Sequence, residues 1–188
     1  MVVTVSRTGG FTLRKVFYTV SSRLIGHRLR VRLFDDRLEV FVGGTQLMTL
    51  PRGRGHADGR HDQVVNYRHV IHSLRKKPMA LLNLVYRDKL FPQQDYRRAF
   101  DVLIERLPDR QACKVMVELL ALAHDRGCER ELAEQLAETL DAGDLPDIAL
   151  LRTLFGPDPA RLPTVSVQLA SLNGYEALIG TAYVGDAA

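Results

Sequence analysis

From Arg28 to Leu33 every second residue is apolar: Leu29, Val31 and Leu33 alternate with Arg28, Arg30 and Arg32. Only an extended strand sends successive side chains to opposite faces, so this run can bury one side and must expose the other. Asp35-Asp36 supplies a polar turn, and Arg37 to Val42 returns with Leu38, Val40 and Val42 on the buried side. Gly43-Gly44 is a hairpin signal, because glycine reaches positive φ without steric cost. Thr45 to Leu50 makes a further strand ended by Pro51, and Leu13 to Val20, rich in β-branched and aromatic residues, makes an earlier one. Four or five short strands with tight turns in about fifty residues predict a small closed or nearly closed antiparallel barrel.

At Tyr67 the period lengthens to that of a helix. Tyr67 to Lys76 carries Val70, Ile71 and Leu74 on one side and is closed by Pro78. Further helices are expected over Met79 to Tyr86, Gln94 to Leu107, Arg110 to Arg126, Glu129 to Leu140 and Pro146 to Phe155. Gly127 stands where a C-cap glycine belongs. Thr164 to Leu169 alternates as a strand, and a small apolar segment covers Tyr175 to Ile179. The expectation is an α+β chain: a small N-terminal antiparallel β-barrel over residues 1–50, a basic loop over 51–65, an α-helical bundle over 66–160, and a C-terminal strand and tail over 161–188.

Charge divides along the same line. Residues 1–77 hold 15 of the 26 Lys and Arg and 5 of the 22 Asp and Glu, a surplus of ten positive charges; residues 78–188 carry a deficit of six. The front half suits a polyanion and the rear half does not. No apolar run approaches the roughly eighteen residues of a membrane span, and the N-terminus lacks the pattern of a secretory signal, so no membrane contact is expected. Cys113 and Cys128, fifteen apart in helical sequence, read as packed thiols in a reducing cytoplasm.

Little in the chain suits catalysis, and no cofactor is expected. The front half's acids are Asp35, Asp36, Glu39, Asp58 and Asp62, and the first pair is explained by turn geometry. His56, His61, His69 and His72 lie close in sequence, yet no acid or cysteine recurs at ligand spacing and the flanks are cationic. A histidine-bearing face toward phosphate is the preferred reading over a metal site. A nucleophile elbow and a Walker-type phosphate loop are both missing from the sequence.

The basic residues form the constellation that remains. Arg28, Arg30 and Arg32 stand about 6.5–7 Å apart on one strand face, close to the phosphate spacing along one DNA strand. Arg52, Arg54 and Arg60 add a basic loop, and Arg68, Arg75, Lys76 and Lys77 a basic helix. Such residues bind phosphate by charge and counterion release, with little base reading. A protein-interaction module whose helical half docks a partner, without DNA contact, is the alternative.

Longer strings carry a resemblance. Leu13-Arg14-Lys15-Val16-Phe17-Tyr18-Thr19-Val20, the run Ser21 to Val31, the run Tyr67 to Pro78, and Leu90-Phe91-Pro92 resemble the C-terminal part of IstA-type insertion-sequence transposases. The likeness extends from about Phe11 to Ile179; at position 22 the family pattern has proline where this chain has Ser22, a departure confined to a turn. The family is similar to Mu transposase and retroviral integrases: a helix-turn-helix region, an RNase H-like domain with an Asp-Asp-Glu triad, a small β-barrel and a helical tail. The matching positions begin at the barrel, so no catalytic residue carries over and the chain is expected not to be an enzyme. On this reading Met1 marks a truncated reading frame or the boundary of an excised piece. The resemblance implies double-stranded DNA at transposon ends as ligand, a homo-oligomer, and an IstB-like AAA+ ATPase as partner of the complete transposase.

Overall fold

A computed structural model describes residues 1–55 and 62–156. The chain is mixed α+β. Seven strands come first: β1 (Val2–Thr4), β2 (Gly10–Leu13), β3 (Val16–Thr19), β4 (Arg28–Leu33), β5 (Arg37–Val42), β6 (Thr45–Pro51) and β7 (Asp62–Val64). Five α-helices follow: α1 (Tyr67–Lys76), α2 (Gln94–Arg106), α3 (Asp109–Arg126), α4 (Glu129–Asp141) and α5 (Ile148–Leu154). Short 3-10 turns cover Ser22–Leu24, Pro78–Asn83 and Arg87–Lys89; the second stands in place of the α-helix expected over Met79 to Tyr86, and the third follows it.

The strands form two hydrogen-bonded sheets, ordered β1-β4-β5-β6 and β2-β3-β7. Their inner faces feed one apolar core that includes Phe11, Val16, Tyr18, Leu29, Val31, Leu38, Val40 and Leu50. Among the described residues no ladder joins the two sheets into a closed ring. Two local expectations need correction. Leu13 to Val20 is a hairpin and not one strand: β2 turns into β3 at Arg14 and Lys15, whose φ angles are 48° and 64°. The segment read as loop ends in β7, which pairs with β3 in parallel, Val16 opposite Asp62, so the strands are not all antiparallel. The predicted strand Thr164–Leu169, the segment Tyr175–Ile179, the rest of 161–188, His56, Arg60 and His61 lie outside the described residues.

The helices pack as their periodicity requires. Tyr67, Val70, Ile71 and Leu74 of α1, and Tyr96, Ala99, Phe100 and Leu103 of α2, are buried. Helix α3 buries Ala112, Cys113, Met116, Val117 and the run Leu119 to Ala123 against its neighbours, while its charged residues stay at the surface. Gly127 ends it at φ 65°, the left-handed cap. Cys113 and Cys128 are buried free thiols, and burial pushes both up from the ordinary thiol value.

Sheets and helices meet through polar groups as well as apolar ones. Tyr86 donates its hydroxyl to the carbonyl of Thr8 at 2.6 Å, and its ring stacks on Phe17. Thr19 is the one buried polar side chain among the described residues. Its Oγ1 accepts the Asn66 N–H at 2.9 Å, just where α1 begins, and lies 3.1 Å from His69 Nδ1. Asn66 caps the helix by accepting the Arg68 N–H. His69 was expected to face phosphate; it faces the sheet, and burial holds its pKa below the usual histidine range, partly offset by the Thr19 backbone. The folded state therefore favours neutral His69. This contribution to stability is complete above the unfolded histidine value of about 6.5 and is lost as pH falls from there toward the lowered folded value. Urea unfolding of the wild type and of His69→Gln should show a stability difference that shrinks in that window; a difference independent of pH refutes the assignment. Thr19→Val, which strands the Asn66 N–H, should cost about 1–3 kcal/mol at any pH.

Candidate nucleic-acid interface

Strand β4 runs between β1 and β5. Leu29 and Val31 are fully buried, so Arg28, Arg30 and Arg32 project together from the outer face, all exposed. The register sets Arg28 beside Thr4, and Arg30 between Val2 and Phe41; Arg32 faces Glu39. A bulge at this end of β5 pairs Val40 with Met48 and Phe41 with Gln46, leaving Leu47 of β6 without an opposite number.

Phe41 lies on this outer face yet is only 6% exposed. Its cover is cationic: the guanidinium carbons of Arg30 and Arg32 lie 5.2 and 4.9 Å from the ring centroid. Cation–π contact places both guanidinium groups over the ring. None of the three arginines makes an ion pair among the described residues. Glu39, the nearest acid in register, is bonded instead by Arg37 Nε at 3.4 Å. The outcome is an ordered cationic surface that the protein's own carboxylates have not neutralised.

The remaining candidates divide. Arg54, Lys76 and Lys77 are exposed and unpaired among the described residues. Arg52 donates to the Phe34 carbonyl at 3.0 Å and to Asp35 at 3.3 Å, so it fastens the turn between β4 and β5 and is not a free loop cation. Arg75 is paired with Asp125 at 3.0 Å. Arg68 is bound to Glu129, its Nε at 2.8 Å from Oε1. The same oxygen accepts the Tyr67 hydroxyl, and the Tyr96 hydroxyl donates to the Glu129 carbonyl. Burial pushes both phenols well above the usual tyrosine range. This cluster ties α1 and α2 to the start of α4, and that is the role of Arg68.

Two cations escaped sequence reasoning. Arg14 and Lys15 occupy the tip of the β2–β3 hairpin in left-handed backbone, which costs roughly 1–2 kcal/mol for each non-glycine residue. No Asn-Gly or similar dipeptide marks this turn. Arg14, Arg52 and Arg54 line a pocket of about 170 Å³ together with Gly53, Gly55 and Tyr18. The loop here is packed, not free: a Cβ on Gly53 would come 2.6 Å from Val16 and 2.9 Å from Val64, and its N–H donates to the Tyr18 hydroxyl at 3.1 Å. Among the described residues no three His, Cys, Asp or Glu side chains gather to hold a metal ion, and no helix is long and apolar enough to cross a membrane.

Glu129→Ala should cost about 1–3 kcal/mol, because it leaves the buried Tyr67 hydroxyl without its acceptor. Chemical denaturation measures this; an unchanged midpoint and slope would show that the cluster holds nothing together.

Comparison with known proteins gives one informative match. Over all 188 residues the chain is 81% identical to a protein of Sinorhizobium fredii (strain NBRC 101917 / NGR234) described as "Uncharacterized protein y4jA/y4nE/y4sE". The chain spans 37% of that protein's length. No family model matches, and no solved structure matches.

Proposed function

We propose that this chain is a non-catalytic, DNA-binding portion of an IstA-like transposase, gripping the duplex backbone and supporting assembly of the transposition complex. The observation that carries the DNA contact is the unpaired stripe Arg28, Arg30, Arg32, displayed at strand spacing and held over Phe41. Phosphates so spaced can each receive a guanidinium, and the affinity comes from released counterions. The two sheets around one core are read as the small barrel of that family in a split form. A relative in which the matching residues make up 37% of the length agrees with a chain that supplies one part of a longer polypeptide's activity. Cutting and joining would then belong to an Asp-Asp-Glu domain, with transposon ends as ligand, an IstB-like ATPase as partner of the complete protein, and the cytoplasm as its compartment.

Arg54 and the hairpin tip with Arg14 and Lys15 extend the contact. Arg68 and Arg75, spoken for by Glu129 and Asp125, contribute least. The test is duplex binding followed by anisotropy across a salt series. Alanine at Arg28, Arg30 and Arg32 together should reduce the slope of log K against log salt by about 2.7, because every phosphate that goes unneutralised removes roughly 0.9. Affinity for unrelated duplexes should fall alike. An unchanged slope, or a loss restricted to one sequence, overturns the reading.

A further inference from the structure

A groove of about 1090 Å³ lies in the helical half, between the end of α1, the turn Pro78–Asn83, α3 and Arg152 of α5. Its floor is apolar: Val117, Ala121 and Leu122 lie along it, with Met79, 41% exposed, at the lip. Its rim is cationic. Glu118 and Asp125 are taken by Arg152 and Arg75, which leaves Lys77, Arg110, Lys114 and Arg126 without a carboxylate among the described residues. From Arg110 to Arg126 the wall of α3 is about 24 Å long, more than four helical turns. A phosphate backbone would satisfy the rim and waste the floor. An acidic ridge bearing leucines satisfies both.

The same chain presents such a ridge. Where α4 gives way to α5, Glu138, Asp144 and Asp147 surround a second, shallower depression of about 620 Å³ with no cation in its lining. Leu150 and Leu154, one helical turn apart on α5, stand out beside them at 67% and 57% exposure. Exposed leucines next to one another on a rim of acids are the surface signature of a contact site.

We infer that the chain associates with itself, the acidic leucine ridge at α4–α5 of one copy entering the basic groove along α3 of another. The contact gives a definite form to the assembly role proposed above and needs no DNA. Opposite potentials on the two faces steer the encounter, and the leucines on the apolar floor supply the area-dependent attraction.

Analytical ultracentrifugation of the 188-residue chain without DNA should show a mass that climbs from monomer with concentration at low salt and falls back at high salt. Arg110→Glu with Lys114→Glu reverses the groove; Glu138→Lys with Asp144→Lys reverses the ridge. Each double variant alone should sediment as a monomer, while a mixture of the two should regain a mass that climbs with concentration, since each face of one variant then meets a face of opposite charge on the other. Should a charge reversal unfold the chain by circular dichroism, Leu150→Ser with Leu154→Ser, both at exposed positions, must lower the association instead. Wild-type monomer at every concentration, association indifferent to both reversals, or a mixture that stays monomeric overturns the inference. So does a groove reversal that weakens duplex binding and leaves the mass unchanged, which would make the groove a second nucleic-acid surface. Duplex affinity measured on the same samples separates this failure from failure of the DNA reading.

Discussion

Burying Leu29, Val31, Leu38 and Val40 leaves the residues between them no face but the outer one. The cationic stripe on β4 is thus the reverse side of the sheet core, and its spacing is fixed by backbone geometry before any ligand arrives. A slip of one residue in register would bury three guanidiniums and expose the core, so the register that makes the fold stable also makes the stripe. Site and scaffold share one constraint.

Much of this was legible because it is local and periodic. Strands β4 to β6 and helices α1 to α4 follow from alternation, three- and four-residue spacing, Pro78, Pro108 and Gly127. What escaped was decided by partners distant in sequence. The turn at Arg14-Lys15 has no turn chemistry of its own and is imposed by the pairing of β2 with β3 and of β3 with β7. Strand β7 is three residues long, too short to carry a pattern, and exists because β3 offers it an edge. His69 looked like a surface residue of a basic helix until the fold placed it against Thr19, fifty positions away.

The candidate cations show the same limit. Along the chain, positive charge collects in the first 77 residues and negative charge beyond, which suggests an uninterrupted basic half. Folding mixes them: Glu129 and Asp125, from the acidic half, are brought onto α1 and absorb Arg68 and Arg75. The sheet face, where the acid in register with Arg32 is already held by Arg37, keeps its charge among the described residues, as do Arg54, Lys76 and Lys77. Linear charge count marks out the basic region, and three-dimensional pairing separates its cations into those held by a carboxylate and those that are not among the described residues.

The ring of Phe41 adds a quieter property. A guanidinium anchored to a carboxylate must break that bond before it can serve another anion, whereas one resting on an aromatic face keeps its donors turned outward and its full charge available. Arg30 and Arg32 are in the second situation. Their placement over the ring leaves both guanidiniums without a carboxylate partner among the described residues, so no internal ion pair has to break before either charge meets an anion.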